Sequence, residues 1–228
     1  MFEPPPEIPF PHPRICEVLY AVPTGPAGDA NADGTRDASG DEFIEFINPH
    51  DSSIQLKGYS FTDRNAGAYS FHFTFPALSL APGARVVVFN GYKATWKGPV
   101  GDRARAPLLP HPDFGNAWVF TAKASSSGVG LANPGDFILL SDPGGRPVSL
   151  VHWGTYDEPN PAAPMVEALP LVSGQSVHLT PAGWVGHAEI DGVRCSPGRA
   201  PDGLNQDEPS EPPRDEVGPP VAPDGPDA

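Results

Sequence analysis

Positive charge is scarce in this chain: 14 Lys and Arg stand against 28 Asp and Glu, a formal charge of −14 over 228 residues. Affinity for nucleic-acid backbones comes mainly from Lys and Arg displacing counterions, so the balance argues against nucleic acid as a partner and favours cations. Cysteine is nearly absent, with only Cys16 and Cys195. This excludes a disulfide-dense framework and a CxxC redox motif. No apolar run approaches the ~20 residues of a membrane-spanning helix. Helical periodicity is missing as well, and 32 Pro and 25 Gly would interrupt helices if it were present.

Catalytic signatures are also lacking. There is no HExxH, no GxSxG and no GK[ST], and the seven histidines are scattered. Carboxylates are plentiful, but no pair stands out as a general acid and base, so no catalytic residue is assigned.

What the chain does have is a series of short apolar runs separated by turn signals. They are Arg14 to Val22, Glu42 to Asn48, Gly58 to Asp63, Tyr69 to Phe75, Ala84 to Asn90, Ala117 to Ala122, Asp136 to Asp142 and Pro147 to Gly154. "QSVHLT" and "AGWVGH" predict a closing hairpin, and "DPGG" after Leu140 predicts another. This spacing predicts an all-β antiparallel sandwich over residues 14–200. It is preceded by a Pro-rich extended segment, 1–13, and followed by an acidic, Pro-rich disordered tail or linker, 201–228.

One loop carries chemistry. In "GDANADGTRDASGDEF", Asp29, Asn31 and Asp33 fall at the first, third and fifth places of a calcium-loop pattern, with Gly34 at the sixth. Thr35 offers a carbonyl at the seventh place and Asp37 falls at the ninth. The twelfth place is Gly40 where an EF-hand has Glu, so Asp41 or Glu42 would have to close the site. The same residue types also form turns without an ion, and both readings stand. Charge favours the ion: Asp29, Asp33, Asp37, Asp41 and Glu42 crowd together with only Arg36 among them. Calcium is therefore the expected cofactor.

The order of the runs is distinctive. "DEFIEFIN", "LKGYSFTD", "FTFPALSLAPGARVVVFN" and "GVGLANPGDFILLSDPGGRPVSLVHW", then "GQSVHLT", Trp184 and "SPGRAP", resemble the lamin tail domain in its bacterial branch. The resemblance implies an immunoglobulin-like β-sandwich without an active site, one that binds partners or sits beside catalytic domains. In such a fold the first and last strands can lie side by side, so Cys16 and Cys195 are either bridged or two free thiols. Aromatics near these positions are packed in the family. Tyr92 and Trp96, in "GYKATWKGPV", are the best candidates for an exposed contact surface.

The expectation is a non-catalytic, calcium-stabilised module that mediates attachment to a protein or cell-surface polymer. Met1 is followed by prolines and not by a basic then apolar run, so no signal peptide is visible. The Pro-rich edges nevertheless favour a piece of an exported protein, placed outside the cell or in its envelope. Two alternatives remain: a metal-dependent hydrolase or its accessory domain, which needs an ion with open coordination positions, and a carbohydrate-binding module, which needs exposed, coplanar aromatic rings.

Overall fold

A computed structural model describes residues 11–63, 70–126, 128–157, 159 and 162–201. The tail 202–228 and the start of the Pro-rich lead-in lie outside them. Within them the regular structure is β-strand apart from 3₁₀ turns at Gly25–Gly28, Pro112–Phe114 and His187–Glu189.

The apolar runs become β1 (Arg14–Leu19), β2 (Phe43–Ile47), β4 (Ser60–Asp63), β5 (His72–Thr74), β7 (Arg85–Phe89), β9 (Trp118–Thr121), β10 (Gly135–Ser141) and β11 (Pro147–Gly154). The closing hairpin is β13 (Val177–Thr180) and β14 (Gly183–Gly186). Short strands β3 (Ile54–Gln55), β6 (Ser79–Leu80), β8 (Val100–Gly101) and β12 (Met165–Ala168) add edges that the apolar pattern does not mark.

Two sheets form the layers, one in the order β14-β13-β1-β2-β7-β9-β8 and one in the order β12-β11-β10-β4-β5, with β3 and β6 as a separate pair. Most pairs are antiparallel. The exceptions are β7 with β9, β8 with β9, and β11 with β12. The long connection from Asn90 to Ala117 supplies the crossover that the parallel β7–β9 pair requires. The "DPGG" hairpin forms as expected: Asp142 Oδ1 accepts from the amides of Gly144 and Arg146, and Gly145 turns the chain at φ 76°.

Val18, Tyr20, Ile44, Phe46, Val88 and Phe120 of the first sheet meet Phe61, Phe73, Ile138, Leu140, Val151 and Trp153 of the second in one core. Tyr20 and Trp153 stack with ring centroids 4.4 Å apart. The far face of the first sheet is covered too, by Leu19, Phe43, Val87, Phe89 and Val119 packed with Phe114, Trp96 and Cys195. Burial on both faces explains why β1 and β2 read as continuous apolar runs.

A β-bulge at Cys16 shifts the β1–β2 register between Ile15 and Glu17. One extra residue reverses the facing of the strand beyond it, so Ile15 joins the central core while Glu17, opposite Glu45, turns to the far face.

The Pro-rich lead-in is tied to the sandwich at its end. Pro13 is buried, and the His12 ring nitrogen Nδ1 lies 2.6 Å from the Tyr59 hydroxyl.

Candidate functional site

The acidic loop is a knot of side chains folded back onto backbone amides. The Asp33 amide donates to both Asp29 Oδ1 (3.1 Å) and Asn31 Oδ1 (3.0 Å), so these two oxygens converge on one hydrogen. Gly34 donates to Asp29 Oδ2, and Thr35 to Asp33 Oδ1. Asp41, fully buried, accepts from the amides of Asn31 and Asp37. Burial pushes the Asp41 carboxyl up to about 6, its backbone hydrogen bonds oppose the shift, and the charges of Asp29 and Asp33 add to it.

Arg36 does not neutralise this charge. Its guanidinium donates to the carbonyls of Pro23 and Val22. Among the described residues Asp29, Asp33, Asp37 and Asp41 have no ion-pair partner. Asn31 is 4% exposed, and its Nδ2 has no partner there either.

Not all seven expected ligands gather. Asp29, Asn31, Asp33 and Asp41 share this hydrogen-bond frame, with Thr35 at its edge. Asp37 turns away to cap the amides of Ser39 and Gly40. Glu42 reaches across to the Leu131 amide and the Asn90 side chain. Among the described residues no three His, Cys, Asp or Glu side chains cluster as metal ligands do. The donors that share the frame, carboxylates plus one amide oxygen, are nonetheless hard oxygen groups of the kind calcium takes. Gly40 has its own reason to be glycine, because a Cβ there would run into the Tyr92 carbonyl.

The aromatic candidates differ in how far the fold takes them up. Trp96 is half-buried and packs on Phe89 at 5.4 Å, anchoring a loop whose Thr95 amide donates to Asp33 Oδ2. Tyr92 is half-buried, with the Lys93 ammonium 4.9 Å from its ring centroid. Trp118 and Trp184 pack against the central core, and Trp153 lies inside it. Trp96 is thus partly packed and Tyr92 rests only against Lys93, and both keep part of their surface exposed.

The cysteines are not bridged: Cys16 and Cys195 are both free. The bulge directs the Cys16 thiol to Glu45 Oε1 (3.3 Å), while Cys195 packs with the apolar group on the far face. Burial raises both thiols, Cys195 to about 12.

Sequence reasoning missed a buried polar network on that far face. Glu45 accepts from Arg85 Nη1, from the Cys16 thiol and, at 2.6 Å, from the Gly198 amide. Glu17 accepts from the Ser176 hydroxyl (2.6 Å) and the Ser196 amide (3.0 Å). Ser196 Oγ lies 2.7 Å from His187 Nε2 and 3.2 Å from Glu17 Oε2, and His187 Nδ1 faces the Val193 carbonyl. One set of protons satisfies this chain: a protonated Glu17 donates to Ser196, Ser196 donates to His187 Nε2, and Nδ1–H donates to Val193. Consistent with that, burial pushes the Glu17 carboxyl up to about 8, with the Glu45 charge adding to it.

Together these bonds hold the segment after β14. There Ser196, Pro197, Gly198 and Arg199 make a turn closed by Arg199 N–H donating to Ser196 O, with Gly198 at φ 81°. The signal in the sequence is a lone Glu inside each of two apolar strands, "RICEVL" and "FIEFI".

Ser196, His187 and Asp191, whose Oδ1 is 3.3 Å from His187 Nδ1, line up like a nucleophile, base and acid. The surroundings do not support acyl transfer. The Ser196 hydroxyl is already held by Glu17 and His187. The amides of Ser196, Gly198 and Arg199 are engaged by Glu17, Glu45 and Ser196 O, and Pro197 has none, so this turn offers no oxyanion donors.

The fold defines an immunoglobulin-like β-sandwich. The family model for the lamin tail domain matches residues 22–155, and the chain belongs to that family of non-enzymatic, immunoglobulin-like modules. The match begins after β1 and ends before β12, so β1, β12, β13, β14 and the turn after β14 lie beyond it. No curated protein matches the chain.

Proposed function

We propose that the protein is a non-catalytic attachment or protein-interaction module of an exported bacterial protein, stabilised by one calcium ion in its acidic loop. The observation that carries the ion is the convergence of Asp29 and Asn31 oxygens on one amide, beside Asp33 and Asp41, in a loop whose aspartates have no ion-pair partner among the described residues. Asp29, Asn31, Asp33 and Asp41 would hold the ion, with the Thr35 carbonyl. Its contribution is neutralisation and a fixed loop, because a ligand of the folded state alone adds stability. The exposed Leu108 and Leu109, between β8 and β9, are the kind of apolar surface a partner protein covers.

The test is a calorimetric calcium titration of metal-stripped protein. One saturable site, lost in Asp29→Ala and in Asp33→Ala, is expected. Absence of heat at any calcium concentration would leave the loop a knot of turns and rule out the ion.

A further inference from the structure

The face of the first sheet that carries Glu45 also holds a groove of about 330 Å³. Arg85 and Arg199 line it together with Asn116, and glycines and alanines make up the rest of its walls. Among the described residues no acidic side chain lines it, in a chain whose formal charge is −14.

The walls are built tightly. A Cβ on Gly115 would collide with Gly198 O and Arg199 Cγ, and one on Gly198 would collide with Phe114 O. The two backbones therefore press together and set the groove's side. Arg199 is steadied from the rim by a bond from its guanidinium to Asp113 O (2.7 Å).

Arg85 is placed for use. Its Nη1 is taken up by Glu45 and the Cys16 sulfur, while Nε and Nη2 have no protein acceptor among the described residues. The Arg85 side chain is 16% exposed and lines the groove. Glu45 fixes the guanidinium plane, and the open edge presents parallel N–H donors, the geometry that matches a carboxylate. Arg85, Arg199 and Glu45 together leave one net positive charge, which suits a single negative group better than a dianion.

We propose that this groove binds one carboxylate group of a peptide, through Arg85 with Arg199 as the second cation. The carboxylate comes either from a chain terminus or from an acidic side chain, and the two are separable by experiment.

The test is a titration of isotope-labelled protein, followed through its amide and arginine Nε–H signals, with three blocked peptides of one sequence. One has a free C-terminal carboxylate, one is amidated, and one is amidated with an internal Asp. At least one carboxylate peptide is expected to give saturable shifts at Ala84, Asn116, Ala200 and the Arg85 Nε–H, and the amidated peptide none. Which carboxylate peptide works identifies the source. Arg199→Gln, on the surface, and Asn116→Asp, which places a charge at the rim, are each expected to weaken binding about tenfold while leaving the remaining spectrum in place. Shifts that follow ionic strength equally in sodium chloride, shifts unchanged in both variants, or no shifts at all would overturn the assignment.

Discussion

Replacing Glu17 with Gln should make the protein more stable at alkaline pH and flatten its stability profile. Glu17 is fully buried, and its carboxyl stands near 8 in the folded chain against 4.5 as the ordinary value. Below 4.5 both states hold the proton and nothing is lost. As pH rises toward 8 the unfolded chain releases its proton while the folded chain keeps it, so unfolding becomes easier by ~1.4 kcal/mol per pH unit. From pH 5 to pH 8 this amounts to roughly 4 kcal/mol. Gln reproduces the protonated acid: its oxygen accepts from Ser176 and the Ser196 amide, and its nitrogen donates to Ser196 Oγ.

The assay is urea unfolding of both proteins at pH 5 and pH 8. Titrating groups far from the site, Asp41 included, are common to the pair, so the double difference reports Glu17 together with its coupling to Glu45. The wild type is expected to lose several kcal/mol relative to Glu17→Gln across that interval. A gap between the two proteins that is the same at both pH values would refute a protonated Glu17 and the proton chain through Ser196 and His187.

The same contacts give three further expected outcomes. Gly198→Ala meets both a positive φ and the Phe114 carbonyl, so it should cost about 2 kcal/mol or more in urea unfolding and expose the Cys195 thiol to alkylation. Both thiols are free, so the intact mass of the protein should not change on reduction, and Cys16 should resist alkylation until the chain unfolds; a mass gain of two hydrogens would contradict this. Tyr20→Phe removes a hydroxyl that donates to Pro170 O and accepts from the Val172 amide, and a loss of about 1–2 kcal/mol is expected by the same unfolding assay.

The eight apolar runs and both predicted hairpins were readable because each pairs a strand-forming segment with an explicit turn signal. Strands β8 and β12 were not, since Val100–Gly101 is too short for any period and Met165–Ala168 is an exposed edge. The parallel β7–β9 pairing was hidden as well, because pairing direction depends on where the connection returns and no local pattern encodes that. Among site residues, the spacing of Asp29, Asn31 and Asp33 picks out side chains that share one hydrogen-bond frame. It could not tell that Glu42 turns to Leu131, which is distant in sequence. The Glu17–Glu45 network needs the bulge at Cys16 to bring both carboxyls to one face, and a single-residue register shift leaves no composition signal. The packed state of Trp96 likewise depends on Phe89, which the alternation along β7 points to the far face of the sheet.

The most direct test of the calcium-stabilised module is thermal unfolding of the metal-stripped protein in saturating calcium and in chelator, with Asp33→Ala alongside. A ligand at about 100 times its dissociation constant adds about 2.7 kcal/mol, which for a domain of this size raises the melting temperature by roughly 5–11 °C. That rise is predicted in the wild type, with its loss in the variant. Superimposable melts in calcium and chelator would contradict it and leave the acidic loop a set of turns held by its own backbone.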